Sequence, residues 1–210
     1  AAAGEVMGKN DRIISVETSY SDGENASYRL MSNGFEGESK STWYSVSASV
    51  AIKGEGEARP SDYWYGSSLF YDKLPKTDIG SVALERVLRK LGQKKAKSGK
   101  YTMVVDPINS GRMLSPVLSA LYGSSLQQKN SFLIDKLDQK VFSDKLTVMD
   151  DPHVIGANGS RYFDNEGVAT EKRPIFENGV LKTYFFDTYN AKKMGVAPTI
   201  SGPSRLVLTP

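Results

Sequence analysis

One imidazole, His153, stands in Asp150-Asp151-Pro152-His153, within a chain of 210 residues that has no cysteine. Protein zinc sites draw several His, Cys or carboxylate ligands into tetrahedral geometry, so one imidazole cannot build a typical centre. Flanked by turn-forming residues, His153 reads as a solvent-facing turn histidine without a catalytic role. Asp164 and Glu166 have the composition of an acid/base pair or a hard-cation site, but in a glycine-containing loop such acids are more often turn formers. Ser115 and Ser119 have no histidine nearby in the sequence, which leaves a serine-hydrolase triad without support. Gly54-Glu55-Gly56 lacks the following helix that would cradle a phosphate. Without cysteine, disulfides and thiolate metal sites are excluded within these residues, a composition compatible with cytoplasmic residence.

Net charge is only +3. Its densest patch is Arg86, Arg89, Lys90, Lys94, Lys95, Lys97 and Lys100, at a helix end and in the loop beyond. Nucleic-acid binding is one reading. A solvated helix end whose cations complement the macrodipole is the simpler one, because no aromatic platform is interleaved. No run approaches the roughly 18 apolar residues of a membrane-spanning helix, and no secretory signal pattern opens the chain. Ala1-Ala2-Ala3-Gly4-Glu5-Val6-Met7 reads like the tail of a helix entered from upstream and Leu206-Val207-Leu208 like a strand stopped early, as in a fragment of a longer protein.

The elements that must position these residues are mainly β in the first half. Arg12 to Ser19 is expected to be a strand, Ser21-Asp22-Gly23-Glu24 a turn, and Ala26 to Ser32 its return. Asn33-Gly34 signals a type I′ hairpin turn. Ser41 to Ile52 alternates an apolar face (Tyr44, Val46, Ala48, Val50, Ile52) with a hydroxyl-rich one (Trp43, Ser45, Ser47, Ser49, Ala51). Tyr63-Trp64-Tyr65 and Leu69-Phe70-Tyr71 read as an aromatic strand, either packed in the sheet or exposed as a peptide-binding platform. Thr77 is placed to cap an amphipathic helix from Asp78 to Leu91, stopped by Gly92.

In the second half, Tyr101 to Val105 is expected as a short buried strand. Ser115 would cap a helix with Pro116 at its first position, carrying Val117, Leu118, Leu121, Tyr122 and Leu126 on one face. Ser131 to Leu137 stays ambiguous between helix and loop, and Leu146 to Met149 reads as a strand. Lys172 to Phe186 forms two β-rich arms about Asn178-Gly179, a hairpin, followed by a short helix from Thr188 to Met194 that ends at Gly195.

Several of these later segments, in this order and spacing, resemble the TldD/PmbA family, bacterial and archaeal proteins described as modulators of DNA gyrase and as metallopeptidases. They are Ser131-Phe132-Leu133-Ile134-Asp135-Lys136-Leu137, Asp150-Asp151-Pro152, Phe163-Asp164-Asn165-Glu166-Gly167-Val168-Ala169-Thr170, Glu177-Asn178-Gly179-Val180-Leu181-Lys182-Thr183-Tyr184 and Tyr189-Asn190-Ala191-Lys192-Lys193-Met194-Gly195. The resemblance implies two branches. The TldD branch holds zinc with a His-Glu-x-x-x-His motif, whereas the PmbA/TldE branch lacks it. Aligned on the flanking segments, the motif falls on Ser115, Pro116 and Ala120. A serine hydroxyl is a poor neutral zinc ligand, proline has no side-chain base, and alanine has nothing to coordinate.

What the resemblance implies is therefore a non-catalytic PmbA/TldE-like subunit with no catalytic residue and no metal or cofactor of its own. Zinc is expected in a TldD-like partner subunit, and the family's further thiolate ligand would lie beyond Pro210. The assembly, a heterodimer or a homodimer, would cleave peptides or unfolded segments. A DNA gyrase modulator without proteolytic role is the alternative. The expected fold is α+β: a curved, mainly antiparallel sheet with a few packed helices, residues 1–99 forming an N-terminal sheet with its amphipathic helix and 100–210 the family core.

Overall fold

The computed structural model describes residues 2–209, an α+β arrangement of two antiparallel sheets and four short helices. It comprises two compact units. One contains the residues up to Arg29 together with Glu38–Lys100; the other contains Leu30–Gly37 and the residues from Tyr101 on.

The first unit is built on β1 (Ile13–Leu30), β2 (Glu36–Ile52) and β3 (Ser61–Ser68), in the order β1-β2-β3. The turn expected at Ser21 to Glu24 is absent, because β1 runs unbroken through Gly23. Glycine is needed there for closeness of approach, since a Cβ at Gly23 would lie 2.6 Å from the indole Nε1 of Trp43. Likewise β2 begins at Glu36, five residues before the expected start at Ser41.

Facing pairs Ala48–Trp64 and Val50–Asp62 alternate with Ser47–Tyr65 and Ser49–Tyr63, so one sheet face is apolar and the other hydroxyl-bearing. Against the apolar face lies α1 (Ile79–Leu88), where Val50, Ile52, Ile79, Ala83 and Val87 share a core with Val6. The helix begins at a left-handed Asp78 (φ 65°) and takes no cap from Thr77. The Glu5 carboxylate instead accepts hydrogen bonds from the amides of Asp78 (3.1 Å), Gly80 (2.8 Å) and Ser81, from a segment of turns rather than the expected helix tail.

In the second unit the tip of the β1–β2 hairpin carries the Gly34 amide to the Met31 carbonyl and the Met31 amide to Phe35. Only Gly34 (φ 89°) is left-handed there. The connection is thus a three-residue bulged loop rather than the two-residue type I′ turn expected. Phe35 packs edge-on against Phe163, ring centroids 5.0 Å apart.

The sheet of this unit has the order β6-β5-β4-β7 with β4 (Thr147–Asp150), β5 (Arg173–Glu177), β6 (Val180–Leu181) and β7 (Leu206–Thr209). Here Asn178 (φ 49°) and Gly179 (φ 76°) are both left-handed, the type I′ turn that Asn-Gly encodes, although paired strand stops at Leu181 rather than reaching Phe186. Val148, Ile175, Phe176, Leu181 and Phe185 form the core with Leu121, Leu133 and Ile200. Two further helices, α2 (Pro107–Ser119) and α3 (Gly123–Gln127), replace the one expected from Pro116, and Tyr101 to Val105 is coil, exposed except for the half-buried Val105, not a buried strand. Ser131 to Leu137 is a series of turns, and α4 (Thr188–Met194) ends at a left-handed Gly195 as expected.

Candidate functional site

Asp106-Pro107 and Ser115-Pro116 both carry the signature of a helix start, and the first of them is used. The Asp106 side chain accepts the Ile108 amide (2.9 Å), and Pro107 occupies the first turn where its missing N–H costs nothing. Pro116 consequently sits inside α2, unable to donate to the Arg112 carbonyl. Ser115 is no cap; its carbonyl accepts from Ser119 Oγ (2.9 Å).

Ser115 and Pro116 are exposed, while the Ala120 methyl is buried in the core beside Leu121 and Leu133. Five residues along an ideal helix rotate the side chain by roughly 140°, which accounts for the opposite surroundings of 115 and 120. Just past the helix end, Ala120 offers its carbonyl to Ser131 Oγ (2.6 Å). A solvated hydroxyl, a proline ring and a buried methyl do not fit a zinc ion, which asks for convergent anionic or imidazole donors. Among the described residues no group of three or more His, Cys, Asp and Glu gathers elsewhere in a way that would hold a metal.

The other candidates have structural partners. His153 is exposed in a turn, its Nε2 lying 3.0 Å from Thr170 Oγ1 and its ring 5.5 Å from that of Tyr162. Because the Thr170 hydroxyl donates to the Arg161 carbonyl, its oxygen accepts from His153, which fixes the neutral ring as the Nε2–H tautomer.

Asp164 and Glu166 form no dyad. The buried Asp164 carboxylate accepts the amides of Glu166 (2.8 Å), Val168 (2.9 Å) and Ser201 (2.9 Å). Burial works to raise its pKa, but these amide bonds outweigh it and hold the group below the usual carboxylate range. Glu166 accepts from both the amide and the hydroxyl of Thr188 at the start of α4. Asp150 receives the amides of Ser204 and Arg205, yet there burial prevails and raises the pKa.

Part of the basic run is likewise engaged. Arg86 and Lys90 pair with Asp62 at 3.5 and 3.1 Å, and Arg89 pairs with Glu85. Residues 93–100 form an exposed loop with no aromatic side chain.

On the hydroxyl-bearing face of the first unit's sheet, Ser19 Oγ lies 2.8 Å from Ser47 Oγ. A groove of about 380 Å³ there is lined by Glu17, Ser19, Ser47, Ser49 and Tyr63, with Thr18 and Ala48 between them. Of the aromatic strand, Trp64 packs toward α1, whereas Tyr63 and Tyr65 are 55% and 43% exposed on this open face. The register of β3 against the serines of β2 places them there, and strand alternation in the sequence already separates Trp64 from its neighbours.

Comparison with known proteins assigns the class. The PmbA/TldA metallopeptidase central domain matches residues 1–91 and the C-terminal domain of the same family matches residues 98–209, so the chain belongs to the PmbA/TldD metallopeptidase family. Within it, the chain is 35% identical over 161 residues to a metalloprotease PmbA homolog of Haemophilus influenzae, covering 76% of this chain and 35% of that protein. It is 31% identical over 201 residues to a metalloprotease of Methanocaldococcus jannaschii, covering 92% of this chain and 43% of the other. The crystal structure of a proposed modulator of DNA gyrase from Bacteroides thetaiotaomicron superposes with a TM-score of 0.96 at 68% identity, over 99% of this chain and 48% of that one. The chain thus spans half or less of the length of these relatives. TldE from Thermococcus kodakarensis, at 20% identity and a TM-score of 0.66, shares the fold.

Proposed function

We propose that this chain belongs to a non-catalytic, PmbA/TldE-type subunit of a zinc metallopeptidase assembly that cleaves peptides or unfolded segments in the cytoplasm, with the zinc carried by a TldD-type partner. The observation that carries this reading is the trio at α2: an exposed Ser115 hydroxyl, Pro116 inside the helix and a buried Ala120 methyl. No base stands there to activate water and no pair of ligands faces a common point. Relatives named metalloprotease support the peptidase setting, and a metalloprotease TldD homolog of Buchnera aphidicola, 32% identical over 121 residues, supports a TldD-type partner.

The full-length protein, purified alone, is expected to contain no stoichiometric zinc and to cleave an unfolded polypeptide only after a subunit bearing the intact motif is added. Bound zinc together with cleavage by the isolated protein would overturn the proposal.

A second reading, binding to gyrase or DNA without proteolysis, is motivated by the exposed loop carrying Lys94, Lys95, Lys97 and Lys100. It requires salt-sensitive binding that weakens when Lys94, Lys95 and Lys97 are neutralised. The net charge of +3 and the lack of aromatic side chains in that loop make it the weaker of the two.

A further inference from the structure

We infer that the groove on the open face of the first unit's sheet takes the ammonium or guanidinium group of a lysine or arginine side chain from an extended peptide lying along β1. Glu17 and Ser19 reach the groove from β1, Ser47 and Ser49 from β2, and Tyr63 from β3. Among the described residues, Glu17 is the groove's only carboxylate, no lysine or arginine lines it, and that carboxylate has no hydrogen bond or ion pair.

Several aromatic rings of this unit are covered by its own cations: Arg86 lies over Trp64, Lys76 over Tyr71 and Lys73 over Phe70. Tyr63 and Tyr65, stacked at 6.4 Å with 22° between their planes, receive no such cation among the described residues. A carboxylate beside an uncovered aromatic face attracts a cation by charge and by the ring quadrupole, and the serine hydroxyls supply acceptors for its N–H groups.

The peptide as occupant follows from the strand that bears Glu17. Among the described residues β1 is an edge of its sheet, eighteen residues long, with neither lysine nor proline, the residues that commonly blunt such edges. An incoming strand can pair with its main chain while a basic side chain turns over into the groove. The inference rests on the proposal that the assembly handles peptides and specifies which ones it favours, yet it concerns binding by this chain alone.

The test uses the full-length protein without a zinc-bearing partner and a fluorescent twelve-residue peptide of alternating lysine and threonine, with its Nε-acetyl-lysine counterpart. The lysine peptide should bind about fivefold more tightly, the size of a partly exposed ion pair plus cation–π contact. Glu17→Gln and Tyr63→Ala should each reduce this preference, while Tyr63→Phe keeps it. Equal binding of the two peptides, or a preference unchanged in Glu17→Gln, overturns the inference. So does spermidine displacing the peptide as effectively as unlabelled peptide does. Zinc or cleavage in the isolated protein would overturn the proposed function and leave this binding result intact.

Discussion

Glu5 does for α1 what a neighbouring Thr or Asp does for most helices: it supplies an acceptor to amides that the helix cannot pair itself. Its charge adds to the bond strength and complements the positive end of the helix dipole. Glu5→Ala is expected to destabilise the protein by about 1–2 kcal/mol in urea unfolding. Asp164 offers a pH-dependent counterpart. Its folded-state pKa lies below the ordinary value, so its contribution is present above the unfolded pKa and is lost as pH falls through the folded one. Asp164→Asn should therefore cost about 2 kcal/mol at neutral pH, and the gap from wild type should narrow when unfolding is followed into the acid range. Asp150 has the opposite sign. With its pKa raised by burial, its contribution is complete below the unfolded pKa and is lost as pH rises through the folded value.

Of α1 to α4, α2 is the helix with no buried residue, and its backbone ladder is interrupted at Pro116. Pro116→Ala restores a donor for the Arg112 carbonyl and relieves a cost of about 3 kcal/mol in a helix interior. Because α2 meets the core through the half-buried Val117 and Leu118 rather than through fully buried side chains, the expected result is slower amide hydrogen exchange over residues 112–120 with little change in Tm. The β5–β6 turn behaves differently, being packed. A Cβ at Gly179 would lie 2.3 Å from the Phe142 carbonyl and 2.5 Å from that of Ser143, at φ 76°. Gly179→Ala should cost about 2–4 kcal/mol, measured by chemical denaturation.

At the scale of the whole molecule, charge separates the two functional readings. A net charge of +3, with Arg86 and Lys90 held by Asp62 and Arg89 by Glu85, leaves a small electrostatic footprint for a polyanion. This chain is expected to give no DNA mobility shift at physiological salt, and retention there would favour the binding reading. Much of the α+β class was legible, because alternation in β2 and β3 and the periodicity of α1 are local patterns. The candidate site was only half legible. The residue types at 115, 116 and 120 can be read in order along the chain, but their surroundings depend on which of two equivalent helix-start signals wins.

Local dihedral preference is written into short stretches of chain, so Asn178-Gly179 could specify its turn and Asp187 to Gly195 its capped helix without reference to anything distant. Glu5 meeting α1 more than seventy residues away, Trp43 lying across Gly23 of the neighbouring strand, and Ala120 entering the core while Ser115 stays in water have no such local code. Those outcomes follow from close packing between segments far apart in sequence, where shape and burial, rather than the preference of any one residue, select the arrangement.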